Sequence, residues 1–483
     1  MLTAEDACPT ASGLPRRFGV EPLHVLAALV AAYLLVDTIG PLFDLDVYWH
    51  VRLADEMADA GFAGAGRDWS FTTDNPAWRS TQWISELVMG AFHSAWGWAG
   101  LVVFRGLGAV ALLTALAWTT LRGLPARAGV PAFALAGLTV SAGIQDRPLI
   151  LGLLPIPFLA LMWRTAVAQG RWPRWWVLVP VTAVYANVHG LWVMVPFVLG
   201  LAVLGRWLDH GFRDPAALRG IALAAATTAA GAISPLGAAN ITAILAFRDA
   251  TTLISEWQPT TAAFGPTWIF AALAGLAIVA WARGPHARPP RSEVLLILVL
   301  LAFASTALRN LLPAVLLLAP IAARRCTEAW DVRPYPTGRR EARVLTAVSA
   351  TILAGCGLVA GFTWWAGDPL PDKLPFGIAE RLDARDRPLR LFNEYNVAGA
   401  VLGFTDQVTL GVDGRADYYG GDYIADYLAV ISAKPGTFKR FLAADPDAAL
   451  LRPSSQLTQV LQDRGWRITD REGDWVLLEP PAN

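Results

Sequence analysis

The sequence is poor in charged residues and in cysteine. Only 16% of its 483 residues are charged, against about 25% in soluble domains, whereas 55% are hydrophobic. Its three cysteines, Cys8, Cys326 and Cys356, match no metal-binding spacing. Basic and acidic residues balance at 39 each, so the net charge gives no reason to expect a nucleic-acid partner. Low charge with high hydrophobicity predicts a membrane protein with many spans.

Several familiar motifs are also missing from the sequence. It has no Walker loop, no dinucleotide-binding glycine pattern and no recognisable Ser-His-Asp order. The first twenty residues lack the apolar core of a cleavable signal peptide. Without these motifs, the sequence gives no reason to expect a nucleotide donor or a serine nucleophile.

Long apolar runs predict about eleven membrane-spanning helices between residues 22 and 365. The predicted spans are 22–43, 99–121, 129–146, 148–168, 174–189, 191–207, 216–234, 265–283, 292–308, 311–323 and 343–365. Arginine recurs in alternate connections, beginning with Arg16 and Arg17. Because basic residues favour the cytoplasmic side, the pattern predicts a plasma-membrane protein whose N-terminal tail, residues 1–21, is cytoplasmic.

The composition changes after the last predicted span, where residues 366–483 predict a soluble, extracytoplasmic α/β domain. The predicted strands are 389–395, 408–414, 448–452, 466–470 and 475–480. The predicted helices are 374–384, 396–404, 421–432, 436–444 and 455–463. The whole chain is thus predicted to be an α-helical polytopic membrane protein with a C-terminal α/β domain.

The first outer loop, residues 44–98, is the most distinctive segment of the sequence. Loops of more than about 12–15 residues without regular structure are usually functional or disordered, and this one is too rich in Trp and Phe to be disordered. Amphipathic helices are predicted over 46–60 and 80–97, joined by a connector. The loop carries Asp44, Asp46, Trp49 and His50 in close succession.

The predicted topology places further polar residues at the outer ends of spans. These are Arg147, His189, Glu256 and Arg309. Ionisable groups at membrane depth normally face a cavity or one another, so we expect one outward-facing polar cavity covered by the first loop. The alternative is that Arg147 and Arg309 extend to lipid headgroups and that His189 only caps a helix turn.

The acidic pair suits two kinds of chemistry. A carboxylate of Asp44 or Asp46 could act as general base on an acceptor hydroxyl, and the sequence does not distinguish the two. Together they could instead hold a divalent cation, Mg²⁺ or Mn²⁺, that neutralises a phosphate leaving group. Arg147 and Arg309, with His189 beside them, are predicted to bind the phosphate of a lipid-linked donor.

A second polar segment follows the second predicted strand of the C-terminal domain. It runs from Asp413 through Arg415 to Tyr418. Ligands in open α/β sheets bind beyond the carboxyl ends of strands, which makes Asp413 and Arg415 candidates for acceptor recognition or support, together with Trp49, His50 and Glu256. The equal alternative is a turn whose charges pair with each other or dock the domain on the membrane part.

The order of these features resembles the GT-C superfamily of integral membrane glycosyltransferases. Residues 44–54, DLDVYWHVRLA, look like the first outer loop of oligosaccharyltransferase catalytic subunits and their bacterial relatives. The segments around Arg147, Asn187–Gly190, Glu256 and Asp413–Tyr418 look like a bacterial subgroup of this superfamily. The likeness covers most of the chain.

The resemblance implies transfer of a sugar from a polyprenyl-phosphate donor on the outer face, with an acidic residue of the first loop, Asp44 or Asp46, as catalytic residue. The expected partners are membrane lipid, the donor, and a glycan, lipid or protein acceptor of the cell envelope. The Trp-Trp-Asp acceptor motif of oligosaccharyltransferases is absent, which argues against transfer to protein asparagine. The competing hypotheses are a transporter or flippase of a lipid-linked or anionic solute, and a non-catalytic scaffold.

Overall fold

The computed structural model describes residues 20–141, 143–246, 255–283 and 290–481. The predicted cytoplasmic tail, residues 1–21, lies outside this range except for its last two residues. The described chain consists of a helical bundle, a structured first loop and a C-terminal α/β part. This arrangement matches the predicted fold class in outline.

The bundle and first loop are built from fifteen described helices. They are α1 (Leu23–Asp37), α2 (Val47–Ala60), α3 (Trp83–Trp96), α4 (Trp98–Leu121), α5 (Ala126–Ser141), α6 (Leu149–Leu153), α7 (Ile156–Gln169), α8 (Trp175–Val188), α9 (Met194–His210), α10 (Pro215–Ala230), α11 (Ala239–Ala246), α12 (Gly265–Arg283), α13 (Arg291–Thr306), α14 (Leu311–Ala329) and α15 (Arg339–Ala366). Short 3-10 turns at Gly190–Val193, Ser255–Trp257 and Leu308–Asn310 lead into or join helices at one end of the bundle.

Five helical segments of the described chain are long and apolar enough to cross a membrane. They are Trp98–Leu121, Leu149–Gln169, Gly190–His210, Gly265–Arg283 and Arg339–Thr363. Helices α1, α5 and α8 are apolar but shorter. A multi-pass membrane protein is therefore supported, whereas the predicted number of about eleven spans and the orientation of the termini stay predictions.

Proline explains one local departure from the predicted spans. The predicted helix 148–168 is divided into α6 and α7 around Leu154–Pro155, because a proline inside a helix removes a backbone donor and crowds the preceding turn. Helix α11 was not predicted from the sequence.

The first loop is ordered by its amphipathic helices, as predicted. In α2 the apolar residues Val47, Val51 and Ala54 recur at helical spacing and are buried, which seats the helix between the bundle and the C-terminal part. Gly61 ends the helix with φ of 80°, a conformation that glycine adopts readily. Helix α3 packs against α2, α4 and α8.

The C-terminal part is a five-stranded sheet with helices α16 to α21. Its strands are β1 (Leu389–Asn393), β2 (Val408–Leu410), β3 (Ala448–Leu451), β4 (Arg467–Glu472) and β5 (Trp475–Glu479), in the order β2-β1-β3-β5-β4. Its helices are α16 (Phe376–Asp383), α17 (Ala398–Leu402), α18 (Ala416–Tyr419), α19 (Gly421–Ile431), α20 (Phe438–Ala443) and α21 (Gln456–Gln462). Every predicted strand and helix of this part is present, most with shorter bounds. Strand β2 has only three of its seven predicted residues, β4 extends two residues beyond its predicted end, and α18 was not predicted.

The sheet is extended by the first loop. Strand β1 pairs in parallel with β2 and β3, and β5 pairs antiparallel with β3 and β4. At the β2 edge, the Leu410 N–H donates to the Trp69 carbonyl at 2.6 Å, and the Phe71 N–H donates to the Leu410 carbonyl at 3.2 Å. This pairing covers an otherwise open sheet edge. The predicted domain boundary at 366 stays a prediction, but the loop and the sheet share one hydrogen-bonded ladder.

Two glycines let the sheet part approach the first loop closely. A Cβ at Gly399 would overlap the Leu45 carbonyl oxygen, and a Cβ at Gly414 would overlap the side chains of Trp49 and Asp46. The backbone of the C-terminal part therefore lies directly against the segment that carries the acidic pair.

Replacing Gly399 by alanine tests this contact. We expect Gly399→Ala to lower the free energy of unfolding by about 1–3 kcal/mol, because backbone must move to relieve the overlap. Gly355→Ala in α15 is the control, since no atom lies within 4 Å of an added Cβ there. Equal unfolding midpoints for the two variants in detergent would contradict the close docking.

Candidate active site

A polar cavity of about 160 Å³ lies where the first loop, the bundle and the sheet part meet. Its lining comprises Asp46, Trp49, His50, Trp78, Ser80, Thr81, Gln82, Glu86, Arg147, Pro148, Leu149, His189, Glu256, Trp257, Arg309, Tyr395, Gly414, Arg415, Ala416 and Asp417. The predicted outer-end residues Arg147, His189, Glu256 and Arg309 thus share one cavity. Their roles stay predictions.

Arg147 is the centre of the acidic cluster. Its guanidinium forms a short ion pair from Nε to Asp44 Oδ2, and Nη2 lies 3.3 Å from Asp46 Oδ2. Nη1 donates to Glu256 Oε1 at 3.1 Å. One cation therefore faces three carboxylates, which leaves this cluster with excess negative charge. Arg147 does not simply extend to lipid headgroups, since the loop carboxylates hold it.

The structure separates the two loop aspartates that the sequence left equivalent. The Asp44 side chain is only 1% exposed, Oδ1 accepts the Asp46 N–H at 2.9 Å, and Oδ2 pairs with Arg147. The Asp46 side chain is 23% exposed and lines the cavity, whereas Asp44 does not. Asp46 is therefore the carboxylate that a bound molecule can reach, and Asp44 fixes Arg147 behind it.

Burial also changes the acidity of Asp46. Desolvation is the largest influence and raises the pKa of Asp46 above its ordinary value, with the Asp44 charge adding to this effect and Arg147 opposing it. A carboxylate with a raised pKa is a stronger base than an exposed aspartate. Tyr395, across the cavity, has its phenol pKa raised well above 10.0 by burial, so it stays protonated.

A fully buried ion pair that we did not predict holds the segment before Asp44. Arg105 of α4 lies 2.8 Å from Asp146 Oδ1, and neither side chain is exposed. Asp146 Oδ2 accepts the backbone N–H groups of Phe43 and Asp44 at 3.0 and 3.4 Å. Arg105 also donates to the carbonyls of Gly40 and Pro41, at 2.7 and 3.2 Å. A single arginine inside an apolar span was the sequence signal for this pair.

The other two residues predicted to bind phosphate take different positions. Arg309 follows α13 in a 3-10 turn, and its guanidinium lies 4.3 Å from the centre of the Trp257 ring. Within the described ranges no carboxylate forms an ion pair with Arg309. His189 Nδ1 accepts the Leu191 N–H at 3.1 Å, so this residue does cap the following turn, while its ring also lines the cavity.

His50 and Glu86 connect the two helices of the first loop. His50 Nδ1 lies 3.1 Å from Glu86 Oε1, and both side chains are almost fully buried. Trp49 packs its ring on the imidazole, with 3.6 Å between ring centres. Trp49 and His50 were predicted from the sequence as support residues, whereas no role was predicted for Glu86.

Asp413 and Arg415 pair with each other, as the second of the two sequence hypotheses stated. Arg415 donates to both oxygens of Asp413, at 2.9 and 2.6 Å, and both side chains are completely buried. The guanidinium lies 4.3 Å from the ring centre of Trp69 in the first loop and donates a short hydrogen bond to the Gly66 carbonyl. This pair docks the sheet part on the loop and places Gly414 in the cavity wall.

The acidic pair does not form a ready cation site in this arrangement. Arg147 contacts Oδ2 of both Asp44 and Asp46, so a cation placed between the two aspartates would have to displace it. Across the described chain, no group of three His, Cys, Asp or Glu side chains has a metal-binding arrangement. The Mg²⁺ or Mn²⁺ cofactor stays a prediction.

Comparison with solved structures shows which fold this is. No protein-family model matches the sequence, and a comparison with curated proteins finds no similar sequence. The arabinofuranosyltransferase AftD from Mycobacteria aligns over 97% of this chain with a TM-score of 0.50 and 14% identity. This chain spans 40% of the length of AftD.

Two other membrane enzymes align with lower scores. ArnT from Cupriavidus metallidurans, solved bound to undecaprenyl phosphate, has a TM-score of 0.47 at 12% identity over 94% of this chain and 97% of its own. The Archaeoglobus fulgidus oligosaccharyltransferase, tethered to an acceptor peptide, aligns with a TM-score of 0.48 at 11% identity. The alignment covers 89% of this chain and 69% of the oligosaccharyltransferase chain. The alignment with AftD, over almost the whole described chain, leads to one conclusion: this protein has the fold of the GT-C membrane glycosyltransferases.

Proposed function

We propose that this protein transfers a sugar from a polyprenyl-phosphate donor to a hydroxyl group of a cell-envelope glycan, lipid or protein on the outer face of the plasma membrane. The observation that carries the proposal is the cavity itself. In a GT-C fold, it brings an accessible aspartate, Asp46, beside two arginines, Arg147 and Arg309. A carboxylate next to phosphate-binding cations is what transfer from a glycosyl phosphate requires.

The residues divide the chemistry between them. Asp46 accepts the proton of the acceptor hydroxyl while the oxygen of that hydroxyl forms a bond to the anomeric carbon of the sugar. The bond from that carbon to the phosphate oxygen breaks, and the electron pair leaves with the polyprenyl phosphate. Arg147 and Arg309 stabilise the phosphate as its negative charge grows. The buried Arg105–Asp146 pair positions the backbone of Asp44, which in turn fixes Arg147.

Arg309 is the residue best placed to bind the donor phosphate. Because no carboxylate pairs with it in the described ranges, a phosphate would be its charge partner. We expect Arg309→Gln to weaken binding of undecaprenyl phosphate by about 10–100-fold, the equivalent of one charged hydrogen bond. Quenching of tryptophan fluorescence by the added lipid would report the affinity, since Trp257 contacts Arg309.

The matched control for this measurement is Arg283→Gln. Arg283 is exposed at the opposite end of α12 from the cavity. We therefore expect the Arg283→Gln protein to bind the lipid with the affinity of the wild type. Equal affinities of the Arg309 and Arg283 variants for the lipid would show that Arg309 does not bind the donor phosphate.

A transfer assay tests the proposal as a whole. Purified protein in nanodiscs would receive polyprenyl phosphates carrying radiolabelled pentoses or hexoses, with envelope extract as acceptor. We expect labelled product from the wild type, and we expect Asp46→Asn to form it at least about 100-fold more slowly. Movement of the lipid between leaflets with no covalent product would favour the transporter hypothesis instead.

A further inference from the structure

The wall of the cavity that the first loop supplies differs in charge from the bundle wall opposite. The first-loop side presents Trp78, Ser80, Thr81, Gln82, His50 and Glu86, together with Asp46. Among these described lining residues there is no arginine or lysine. The cations Arg147 and Arg309 come from the bundle, and Arg415 is already paired with Asp413. The arginines available to a phosphate therefore come from the bundle, whereas the loop wall supplies carboxylates and neutral polar groups.

Glu86 has one carboxylate oxygen without a partner. Its side chain is fully buried and lines the cavity. Oε1 contacts His50, whereas Oε2 has no hydrogen-bond partner in the described chain. A buried acceptor left without a donor destabilises the protein, because its lost hydration is not replaced. An O–H group of a bound molecule would remove this destabilisation.

His50 is oriented to contribute a second contact. Its Nδ1 is engaged by Glu86, and the Trp49 ring packs on its face. These two contacts fix the imidazole on the cavity wall, and Nε2 is the ring nitrogen that remains for a ligand oxygen. Ser80 and Gln82 add neutral polar groups nearby. The combination suits a molecule with several hydroxyl groups.

We propose that Glu86 and His50 form a subsite that binds a hydroxyl group of an uncharged sugar and rejects a sugar with a carboxylate at that position. The proposal rests on the transfer function above and specifies its substrate class. A hydroxyl donates to Glu86 Oε2, whereas a carboxylate would place a third negative charge beside those of Glu86 and Asp46. Sites built to hydrogen-bond a hydroxyl discriminate strongly against ligands that lack it.

The test compares the affinity of lipids with and without a sugar. The probes are undecaprenyl phosphate alone and the same lipid carrying glucose, mannose, arabinofuranose or glucuronic acid. We define the sugar increment as the ratio of the Kd of the bare lipid to that of the sugar-bearing lipid. For the wild type we expect an increment of at least about 10 for one or more neutral sugars, a strength of one hydrogen bond to a charged group. We expect no increment for glucuronic acid.

Variants assign the increment to the subsite. Glu86→Gln should lose most of the neutral-sugar increment and should no longer disfavour glucuronic acid, while Kd for the bare lipid stays unchanged. Asp55→Asn is the matched control, because Asp55 lies on α2 with His50 but is exposed and outside the cavity lining. The wild-type comparison of neutral and acidic sugars needs no variant, so it decides the proposal even if Glu86→Gln does not fold.

Each contrary result has a distinct meaning. A full neutral-sugar increment in folded Glu86→Gln, or equal affinity of the wild type for glucosyl and glucuronosyl lipids, would overturn the subsite alone. Binding of the bare lipid with no increment for any sugar would do the same. Failure to bind any of the lipids would overturn the subsite together with the proposed donor.

Discussion

Replacing Asp46 by asparagine is expected to lower the rate of sugar transfer by about 100- to 10,000-fold, the usual contribution of a general base. The amide keeps the shape of the side chain but cannot accept the proton of the acceptor hydroxyl. Since Arg147 keeps Asp44 and Glu256 as partners, the fold and the affinity for undecaprenyl phosphate should change little. Single-turnover transfer from a labelled donor lipid measures the effect.

Asp44→Asn serves as the comparison for this prediction. Asp44 is buried behind Arg147, so its loss should disturb the position of the arginine and weaken lipid binding as well as rate. Asp55→Asn, outside the cavity, should leave both quantities unchanged. An Asp46→Asn protein that transfers sugar at the wild-type rate would exclude Asp46 as the base.

Removing Arg105 is expected to produce the largest loss of stability. Arg105→Met leaves Asp146 buried without its cation, and breaking a buried pair in this way typically costs about 3–5 kcal/mol. The substitution should also disturb the position of Asp44 in the active site, because Asp146 accepts the backbone N–H groups of Phe43 and Asp44. Thermal unfolding in detergent, followed by intrinsic fluorescence, would report the change.

Arg122→Met is the matched control, because Arg122 directly follows the helix that carries Arg105. Arg122 follows α4 and stacks on Trp118, with 4.0 Å from the guanidinium carbon to the ring centre. Losing a surface contact of this kind costs about 0.5–1 kcal/mol. If the Arg105 and Arg122 variants unfolded at the same midpoint, the buried pair would not be the anchor of the first loop.

Local patterns in the sequence predicted much of the fold. The strand Leu389–Asn393 and the helix Gly421–Ile431 were found within a few residues of their bounds, because strand runs and amphipathic helices have distinct periods. The grouping of Arg147, His189 and Arg309 followed from their shared end of the spans. The break at Pro155 had its signal in the sequence, but a continuous apolar run concealed it.

What the sequence could not show depends on contacts between distant segments. Arg105 lay inside the predicted span 99–121, and only the fold reveals that Asp146 is its partner. The contact between Glu86 and His50 joins helices α3 and α2. The two residues are 36 positions apart in the sequence, and no local pattern predicts a contact over that separation. The pairing of Trp69–Phe71 with β2 joins segments more than three hundred residues apart, which no local periodicity encodes.

The central claim is that the cavity binds a lipid phosphate beside Asp46. Cryo-electron microscopy of the protein in nanodiscs with undecaprenyl phosphate tests it most directly. We predict phosphate density within hydrogen-bonding distance of the Arg147 and Arg309 guanidinium groups, next to Asp46. Phosphate density at another place on the protein, with this cavity holding only water, would contradict the account.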